Sequence, residues 1–177
     1  MIIKKTNFKD LLVIKQKNNI DKRGNLRETF NNKILKKKFV FEYCTTSKKN
    51  VLRGFHFQKK YKQSKFVNVI KGKILDVVID LRKKSKTFGK TFKIILSKEN
   101  ALGLYIPRGF AHAYYSFERE NIIYYKLDNY YASKYESGIV YNDDSIKIKW
   151  PKKKMLISKK DKKLLTIKEF RKRIKGL

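Results

Sequence analysis

A buried β-strand is predicted by the run Val51-Leu-Arg-Gly-Phe-His-Phe-Gln58, in which apolar and aromatic residues enclose one of the chain's 2 histidines. Successive side chains of a strand point to opposite faces, so alternation places His56 on one face and Arg53 on the other. A histidine titrates near neutral pH, and on a rigid strand close to a fixed cation it suits a general base that acts on an anionic substrate. A hydrogen-bonded core histidine is the alternative, and it is favoured when His56 is judged alone.

Similar runs continue on both sides of this strand. They are rich in Val, Ile, Phe and Tyr, and turn residues such as Lys71-Gly72 and Pro107-Arg-Gly109 separate them. The predicted strands span residues 39–45, 51–58, 66–70, 74–81, 91–96, 102–106, 113–117 and 122–126. Many short strands at close spacing indicate a mainly β fold, either an antiparallel sandwich or a barrel.

The two ends of the chain are less regular. Residues 1–20 predict a short strand with its lead-in, followed by a turn over 21–24 and a strand over 25–30. Residues 31–38 predict a short helix, and residues 132–151 predict an irregular segment. A final helix is predicted from Ser158 onward, with Ser158 as its cap and Leu164, Leu165, Ile167 and Phe170 as its apolar stripe. We expect one domain over residues 1–177, with its barrel core in residues 39–131.

The composition indicates a globular protein of a reducing compartment. The 177 residues are 41% hydrophobic and 14% aromatic, which is enough for a core. A single cysteine, Cys44, excludes an internal disulfide. Lysines interrupt the apolar positions at the start of the chain, unlike those of a secretory signal, and no apolar run has membrane-spanning length. The sequence therefore predicts a cytoplasmic protein without a membrane partner.

The net charge of +31, from 46 basic and 15 acidic residues, is unusual. Such an excess is typical of proteins that bind nucleic acid. Most of the basic residues are lysines spread through every segment, whereas nucleic-acid recognition favours the bidentate guanidinium of arginine. A lysine bias of the whole proteome explains the pattern at least as well, so nucleic acid is not the expected partner. The charge can still steer small anions into a cleft.

The second histidine ends the run Ile106-Pro-Arg-Gly-Phe-Ala-His112, which follows a predicted strand. Its Pro-x-Gly-x-x-His pattern resembles the second half-motif of the cupin family. In metal-dependent cupins this histidine joins two further histidines and a glutamate, a set that a chain with 2 histidines cannot supply. No metal is therefore expected. His112 has two interpretations of similar weight, a hydrogen-bond donor to substrate or a turn-stabilising histidine.

Longer strings extend this resemblance along the chain. They are Asp21-Lys-Arg-Gly-Asn-Leu-Arg-Glu28, Ser47-Lys-Lys-Asn-Val-Leu-Arg-Gly-Phe-His-Phe-Gln58, Gln63-Ser-Lys-Phe-Val67, Gly72-Lys-Ile-Leu-Asp-Val-Val-Ile-Asp-Leu-Arg82, Ser85-Lys-Thr-Phe-Gly89, Leu96-Ser-Lys-Glu-Asn100, Ile106-Pro-Arg-Gly-Phe-Ala-His112, Tyr125-Lys-Leu-Asp-Asn-Tyr-Tyr131, Tyr141-Asn-Asp143 and Ile148-Lys-Trp-Pro151. In this order, from about residue 3 to about residue 165, the chain resembles the dTDP-4-dehydrorhamnose 3,5-epimerase family of sugar-nucleotide cupins. The resemblance implies an isomerase without a cofactor. It also implies a jelly-roll fold, a double-stranded β-sandwich barrel with short peripheral helices, one of them at the C-terminus.

The family's chemistry is proton transfer beside a ketone. Its 4-keto sugar loses a proton next to the carbonyl, passes through an enolate and is reprotonated on the opposite face. This requires a base, an acid and a cation near the oxyanion. By resemblance His56 is the base, Asp161 its carboxylate partner, Tyr125 the acid and Lys65 the cation. Judged alone, the last three are also interpretable as a first-turn carboxylate, a barrel-wall aromatic and an exposed lysine.

The resemblance also implies contacts to the nucleotide sugar. In chain order the matching positions are Arg23, Glu28, Arg53, Tyr131, Glu136 and Lys160. Arg53 would meet the diphosphate as a bidentate partner, and Tyr131 would lie near the base. The first two positions would reach the substrate from a neighbouring subunit. We therefore expect a homodimer with exchanged N-terminal strands in residues 1–38.

Three sites depart from the family pattern. Phe41-Glu-Tyr43 stands where the family usually carries Gln-x-Asn, which helps to hold the substrate. Leu26 stands where the family usually has an aromatic residue, and Arg108 where it often has glutamate. The base, acid and lysine remain, so these departures affect the identity of the sugar and nucleotide more than the class of reaction.

The leading hypothesis is 3,5-epimerisation of dTDP-4-dehydro-6-deoxyglucose to dTDP-4-dehydrorhamnose, in nucleotide-sugar biosynthesis for cell-surface polysaccharide. Epimerisation at one carbon only, or a sugar 3,4-ketoisomerase on a related fold, is an alternative, and the pair Tyr125 and Asp161 favours epimerisation. A non-catalytic basic barrel that binds nucleic acid is a third hypothesis. It predicts aromatics interleaved with charge on one face, whereas the aromatics here lie mostly in strands that need them for the core.

Overall fold

The computed structural model describes residues 1–151, 154–174 and 177. In chain order its strands are β1 (Ile2–Lys5), β2 (Leu12–Lys15), β3 (Lys17–Asp21), β4 (Gly24–Glu28), β5 (Phe41–Lys48), β6 (Leu52–Gln58), β7 (Lys65–Lys71), β8 (Lys73–Asp80), β9 (Thr91–Ser97), β10 (Leu102–Ile106), β11 (Phe110–Ser116), β12 (Glu120–Leu127) and β13 (Glu136–Gly138). Two short helices, α1 (Asn32–Leu35) and α2 (Ile167–Arg173), lie outside the strands. Within the described residues, no helix combines the length and hydropathy needed to cross a bilayer.

The strands form two antiparallel sheets and a separate hairpin. Sheet I has 6 strands in the spatial order β1-β2-β10-β7-β12-β5, and sheet II has 5 strands in the order β13-β6-β11-β8-β9. The hairpin pairs β3 with β4. Neighbours in each sheet are mostly distant in sequence, as in a jelly roll, and the predicted cupin fold is confirmed.

One apolar core lies between the two sheets. Val67 and Ile123 of sheet I join Ile74 and Val78 of sheet II in a single cluster, and all four are fully buried. Because alternate residues of each strand face this layer, apolar burial from both sides holds the sheets together. The packed core therefore holds the strands of both sheets in fixed positions relative to each other.

The outer faces of both sheets are also covered. On sheet II, α2 places Phe170 edge-to-face against Phe57, with ring centroids 5.5 Å apart. Thr166 and Glu169 form a capping box that fixes the start of α2. On sheet I, Leu35 of α1 packs in a cluster with Phe66.

Three predictions about the ends of the chain were wrong. Residues 1–20 contain β1, β2 and most of β3 rather than one strand. The prediction missed β1 and β3 because these strands are exposed and show no apolar alternation. The segment 132–151 contains β13, which pairs with β6. The final helix begins after Thr166 instead of Ser158, since Leu165 is extended in a bridge to Ile139. The part of the helix prediction that falls on residues 175–176 lies outside the described residues.

Candidate active site

A cavity of about 370 Å³ opens between the two sheets. Sheet I contributes side chains from β5, β7 and β12, and sheet II contributes side chains from β6, β11 and β13. The lining residues are Phe41, Tyr43, Thr45, Arg53, His56, Phe57, Gln58, Gln63, Lys65, His112, Tyr114, Tyr125, Tyr131 and Glu136. The mixture of aromatic walls and a few ionisable groups is typical of a small-molecule site.

A bulge in β6 brings Arg53 and His56 to the same cavity. In the pairing with β11, His56 lies opposite His112 and Arg53 lies opposite Tyr114, so β6 has one extra residue between the two pairs. The extra residue shifts the side-chain alternation, and the prediction of opposite faces was wrong. Gly54 has φ of +117°, and a Cβ there would lie 2.5 Å from the backbone oxygen of His112, so only glycine fits.

His56 is held by a buried carboxylate. Its Nε2 lies 2.8 Å from Oδ1 of Asp161, and the N–H of Gly54 donates to Oδ2 of Asp161 over 3.2 Å. Burial alone would raise the pKa of Asp161, but the hydrogen bond and the charge of His56 outweigh it and lower this pKa. An ionised carboxylate only accepts hydrogen bonds, so Nε2 carries the hydrogen. In the neutral ring, Nδ1 is then the nitrogen that can take a proton.

A second carboxylate faces that nitrogen. Oε1 of Glu136 lies 3.9 Å from Nδ1 of His56. The other oxygen of Glu136 accepts a hydrogen bond of 2.8 Å from the hydroxyl of Tyr131 and pairs with the ammonium of Lys160. Although partial burial would raise the pKa of Glu136, these two hydrogen bonds keep it lowered. Three predicted binding residues are therefore connected to the predicted base: Glu136 faces His56 and contacts both Tyr131 and Lys160.

Tyr125 and Lys65 enter the cavity from the opposite sheet. Both lie on sheet I, on β12 and β7, whereas His56 lies on sheet II. Burial raises the pKa of the Tyr125 phenol well above its usual value, so the hydroxyl stays protonated at neutral pH. Burial lowers the pKa of the Lys65 ammonium to about 8, although the carboxylates of Glu136 and Asp76 partly oppose this. The cavity thus has His56 on one wall. The other wall has the neutral phenol of Tyr125 and the ammonium of Lys65, which loses its proton more readily than an ordinary lysine.

His112 forms a second histidine–carboxylate pair. Its Nε2 lies 2.8 Å from Oδ2 of Asp76, and both side chains are buried. His112 lies within β11 and lines the cavity, which does not match the interpretation as a turn-stabilising histidine. Asp76 had not been singled out from the sequence. The available signal was a carboxylate inside the apolar run Ile74-Leu-Asp-Val-Val78, since a buried charge needs a partner.

Three predicted binding residues, Arg23, Glu28 and Lys160, do not line this cavity, although Lys160 pairs with Glu136, which does. Arg23 lies near the tip of the β3–β4 hairpin, where its guanidinium pairs with Asp21 over 2.7 Å. The carboxylate of Glu28 accepts a hydrogen bond from Asn31. Arg53, in contrast, is an exposed cation at the cavity. Arg23 and Glu28 are therefore not part of the cavity wall of their own chain.

The cavity also contains the departures Phe41 and Tyr43, which stand on β5 beside β12. Thus these two altered positions are part of the wall, whereas the other departures, Leu26 and Arg108, are not. Among residues 1–151, 154–174 and 177, no group of three or more His, Cys, Asp or Glu side chains is arranged to hold a metal ion.

Comparison with known proteins places this geometry in a family. The family model described as dTDP-4-dehydrorhamnose 3,5-epimerase matches residues 5–169. The dTDP-4-dehydrorhamnose 3,5-epimerase of Shigella flexneri is 40% identical over 168 residues, which cover 91% of this chain and 93% of that protein. The crystal structure of the Bacillus anthracis enzyme with TDP and PPi bound has a TM-score of 0.91 and 35% identity, and the match covers 94% of this chain and 99% of that one. The Legionella pneumophila enzyme, solved in complex with dTDP-4-keto-L-rhamnose, has a TM-score of 0.86 and 36% identity over 90% of this chain and 89% of that one. The chain therefore belongs to the dTDP-4-dehydrorhamnose 3,5-epimerase family.

Proposed function

We propose that this chain converts dTDP-4-dehydro-6-deoxyglucose to dTDP-4-dehydrorhamnose by epimerisation at the two carbons that flank the ketone, as a step of dTDP-rhamnose biosynthesis. Family membership supports the isomerase class and the substrate. One observation of the site supports the reaction. His56, hydrogen-bonded to Asp161, stands on sheet II, and Tyr125 stands on sheet I across the same cavity. Inversion needs proton donors and acceptors on two opposite faces of the sugar ring.

The proposed reaction begins at His56. Its Nδ1 takes the proton from a carbon beside the carbonyl, the C–H electron pair forms a double bond to the carbonyl carbon, and the carbonyl π electrons move onto oxygen to give the enolate. The resulting imidazolium lies between Asp161 and Glu136, whose negative charges stabilise it. Tyr125 then delivers its hydroxyl proton to the same carbon from the other face. Solvent returns a proton to the phenolate, and the His56 imidazolium gives its proton to solvent. The same sequence at the second carbon completes the conversion.

Lys65 is the proposed partner of the enolate oxygen. It lies on the same sheet as Tyr125 and reaches the cavity with its ammonium. A fixed cation in a partly dry site stabilises charge that develops in the transition state without reorganising first. The proposed role of His112, held by Asp76, is to donate a hydrogen bond to the substrate.

The nucleotide is proposed to bind at the outer part of the cavity, with Arg53 at the diphosphate and Tyr131 near the base. Arg23 and Glu28 are proposed to contribute from a second subunit of a homodimer. Their hairpin supports this, since Ile20 and Leu26 are 77% and 70% exposed in the single chain. Large apolar side chains on a projecting hairpin are suited to burial against a partner.

The proposed compartment is the cytoplasm. Cys44 is an exposed free thiol, which is suited to a reducing environment. The proposed function needs no membrane and no nucleic acid, and the charge of +31 would serve to attract an anionic nucleotide sugar.

Incubation with dTDP-4-dehydro-6-deoxyglucose in D₂O, followed by NMR and mass spectrometry, tests the proposal. We expect deuterium at both carbons beside an unmoved ketone, with inversion at both. Deuterium and inversion at one carbon would identify a single-site epimerase instead, and a moved ketone would identify a 3,4-ketoisomerase. If no exchange occurs while the protein is folded, the proposed substrate is wrong. Salt-sensitive binding of an oligonucleotide would then favour the nucleic-acid hypothesis.

Lys65 is expected to give the reaction a high-pH limb. Because burial lowers its pKa to about 8, the ammonium is present below that pH and is lost as the pH rises through it. The epimerisation rate should therefore fall above about pH 8. Lys65→Met should lower the rate at neutral pH by on the order of 10²- to 10³-fold and remove this limb. The measurement is the rate of inversion from about pH 6 to about pH 10, a range that spans the pKa of Lys65.

Lys71→Met is the matched control for this profile. Lys71 lies at the other end of β7, is exposed and pairs with Glu120. Its replacement should change neither the rate nor the pH profile. A Lys65→Met enzyme that keeps the same high-pH limb would show that another group titrates there.

A further inference from the structure

The hydroxyl of Tyr125 makes no hydrogen bond to any residue in the described ranges 1–151, 154–174 and 177, although the residue is only 3% exposed. A phenol ring is usually oriented by a hydrogen bond at its tip and by packing on its faces. Because no hydrogen bond within the described ranges orients the Tyr125 hydroxyl, the packing of other side chains against the Tyr125 ring has to set its direction. The residues that contact the ring therefore decide where the proton is delivered.

Tyr43 covers one face of that ring. The two residues are direct partners in the pairing of β5 with β12. Their ring centroids lie 4.8 Å apart with an interplanar angle of 20°, which is a stacked pair. The ring of His112 meets Tyr125 edge-on at 6.0 Å, and Asp76 fixes His112 in turn. The phenol thus has Tyr43 stacked on its face and a fixed imidazole at its edge.

Tyr43 is itself held in place without using its hydroxyl in the described part of the chain. Its ring packs against Phe41 at 5.7 Å. Burial raises the pKa of Tyr43 to about 12, so it stays neutral and does not supply a proton-accepting phenolate near pH 7. The part of Tyr43 that contacts Tyr125 is its ring, and Tyr43→Phe distinguishes a supporting ring from a proton-donating hydroxyl because it keeps the first and removes the second.

We propose that Tyr43 is a positioning residue, whose ring stacks on Tyr125 and aims the Tyr125 hydroxyl at the sugar face opposite His56. The inference rests on the proposed function and deepens it. Tyr43 acts on the delivery of the proton and leaves its removal to His56. Loss of the ring should therefore separate two events that the intact enzyme couples, isotope exchange and inversion.

Isotope exchange can continue without inversion for a simple chemical reason. Removal of a carbon-bound proton by His56 forms the enolate whether or not Tyr125 is well aimed. When Tyr125 is displaced, the imidazolium, after exchange with D₂O, can return a deuteron to the face from which the proton came. The product of that path is deuterated but not inverted.

The test compares Tyr43→Ala and Tyr43→Phe with the intact chain on dTDP-4-dehydro-6-deoxyglucose in D₂O. NMR gives the number of inversions per deuterium incorporated. We expect Tyr43→Ala to lower this ratio by roughly 10- to 100-fold, since small displacements of a reacting group have effects of that size. Tyr43→Phe keeps the stacked ring and should restore the ratio. Tyr43→Leu replaces Tyr43→Ala if the alanine variant does not fold.

Tyr124→Ala is the matched control, because it removes a tyrosine from the same strand pair at the next position, where the side chain contacts Glu42 instead of the cavity. It should leave the ratio unchanged. A parallel fall of exchange and inversion in Tyr43→Ala, or an unchanged ratio, would overturn the positioning role while the proposed function stands. An intact chain that shows neither exchange nor inversion would overturn both.

Discussion

His56→Ala is expected to lower both deuterium incorporation and inversion by on the order of 10²- to 10⁴-fold, the usual contribution of a positioned general base. Exchange and inversion should fall together, because no enolate forms without removal of the proton. The assay is NMR of dTDP-4-dehydro-6-deoxyglucose in D₂O, with the two signals beside the ketone followed separately. This result would link the reaction to the pair of His56 and Asp161, whose atoms lie 2.8 Å apart.

His56→Gln tests the role of the base more specifically than His56→Ala. A glutamine amide can still donate a hydrogen bond to Asp161, which is 3% exposed and would otherwise lose a partner. It cannot take a proton near neutral pH. Both variants should melt as cooperative units, and both should lack exchange. Substantial exchange in His56→Gln would mean that a different group removes the proton.

The strand content and the fold class were predictable because the pattern of Val, Ile, Phe and Tyr between turn residues is strong in residues 39–131. The four proposed catalytic residues are a different case. His56 was conspicuous as one of 2 histidines. Asp161 lies 105 positions away and reaches Gly54 and His56 only through the turn that precedes α2. Nothing local in the sequence joins them, and the family resemblance alone suggested the pair.

Other features were not predictable from periodicity. An alternating pattern cannot reveal the extra residue of β6, and for this reason alternation predicts the wrong face for Arg53. The exposed strands β1 and β3 have no buried face to impose an alternation. The stack of Tyr43 on Tyr125 depends on the register between β5 and β12, which residues far apart in sequence determine.

Tyr125→Phe is expected to lower the rate of inversion by on the order of 10²- to 10⁴-fold while deuterium incorporation continues. The variant removes one oxygen atom and keeps the ring that stacks on Tyr43 at 4.8 Å, so the wall of the cavity is preserved. His56 remains free to form the enolate, and the returning deuteron comes from the same face. The substrate recovered from D₂O should therefore be deuterated with its original configuration. Separate measurement of mass and of configuration distinguishes this outcome from a simple loss of activity.

Tyr124→Phe provides the matched control, since it removes a hydroxyl from the neighbouring position of β12, where the group contacts Glu42 outside the cavity. Its inversion rate should equal that of the intact chain. If Tyr125→Phe inverted the sugar at a normal rate, the proton would have to come from another phenol that lines the cavity. Tyr114 is the residue to test next, because it also lines the cavity, although its hydroxyl lies 2.8 Å from Ser47 and 3.1 Å from Thr45. A phenol engaged by two hydroxyl groups is less free to turn toward a substrate than one whose tip faces the cavity, and this difference is the physical reason to assign the acid to Tyr125.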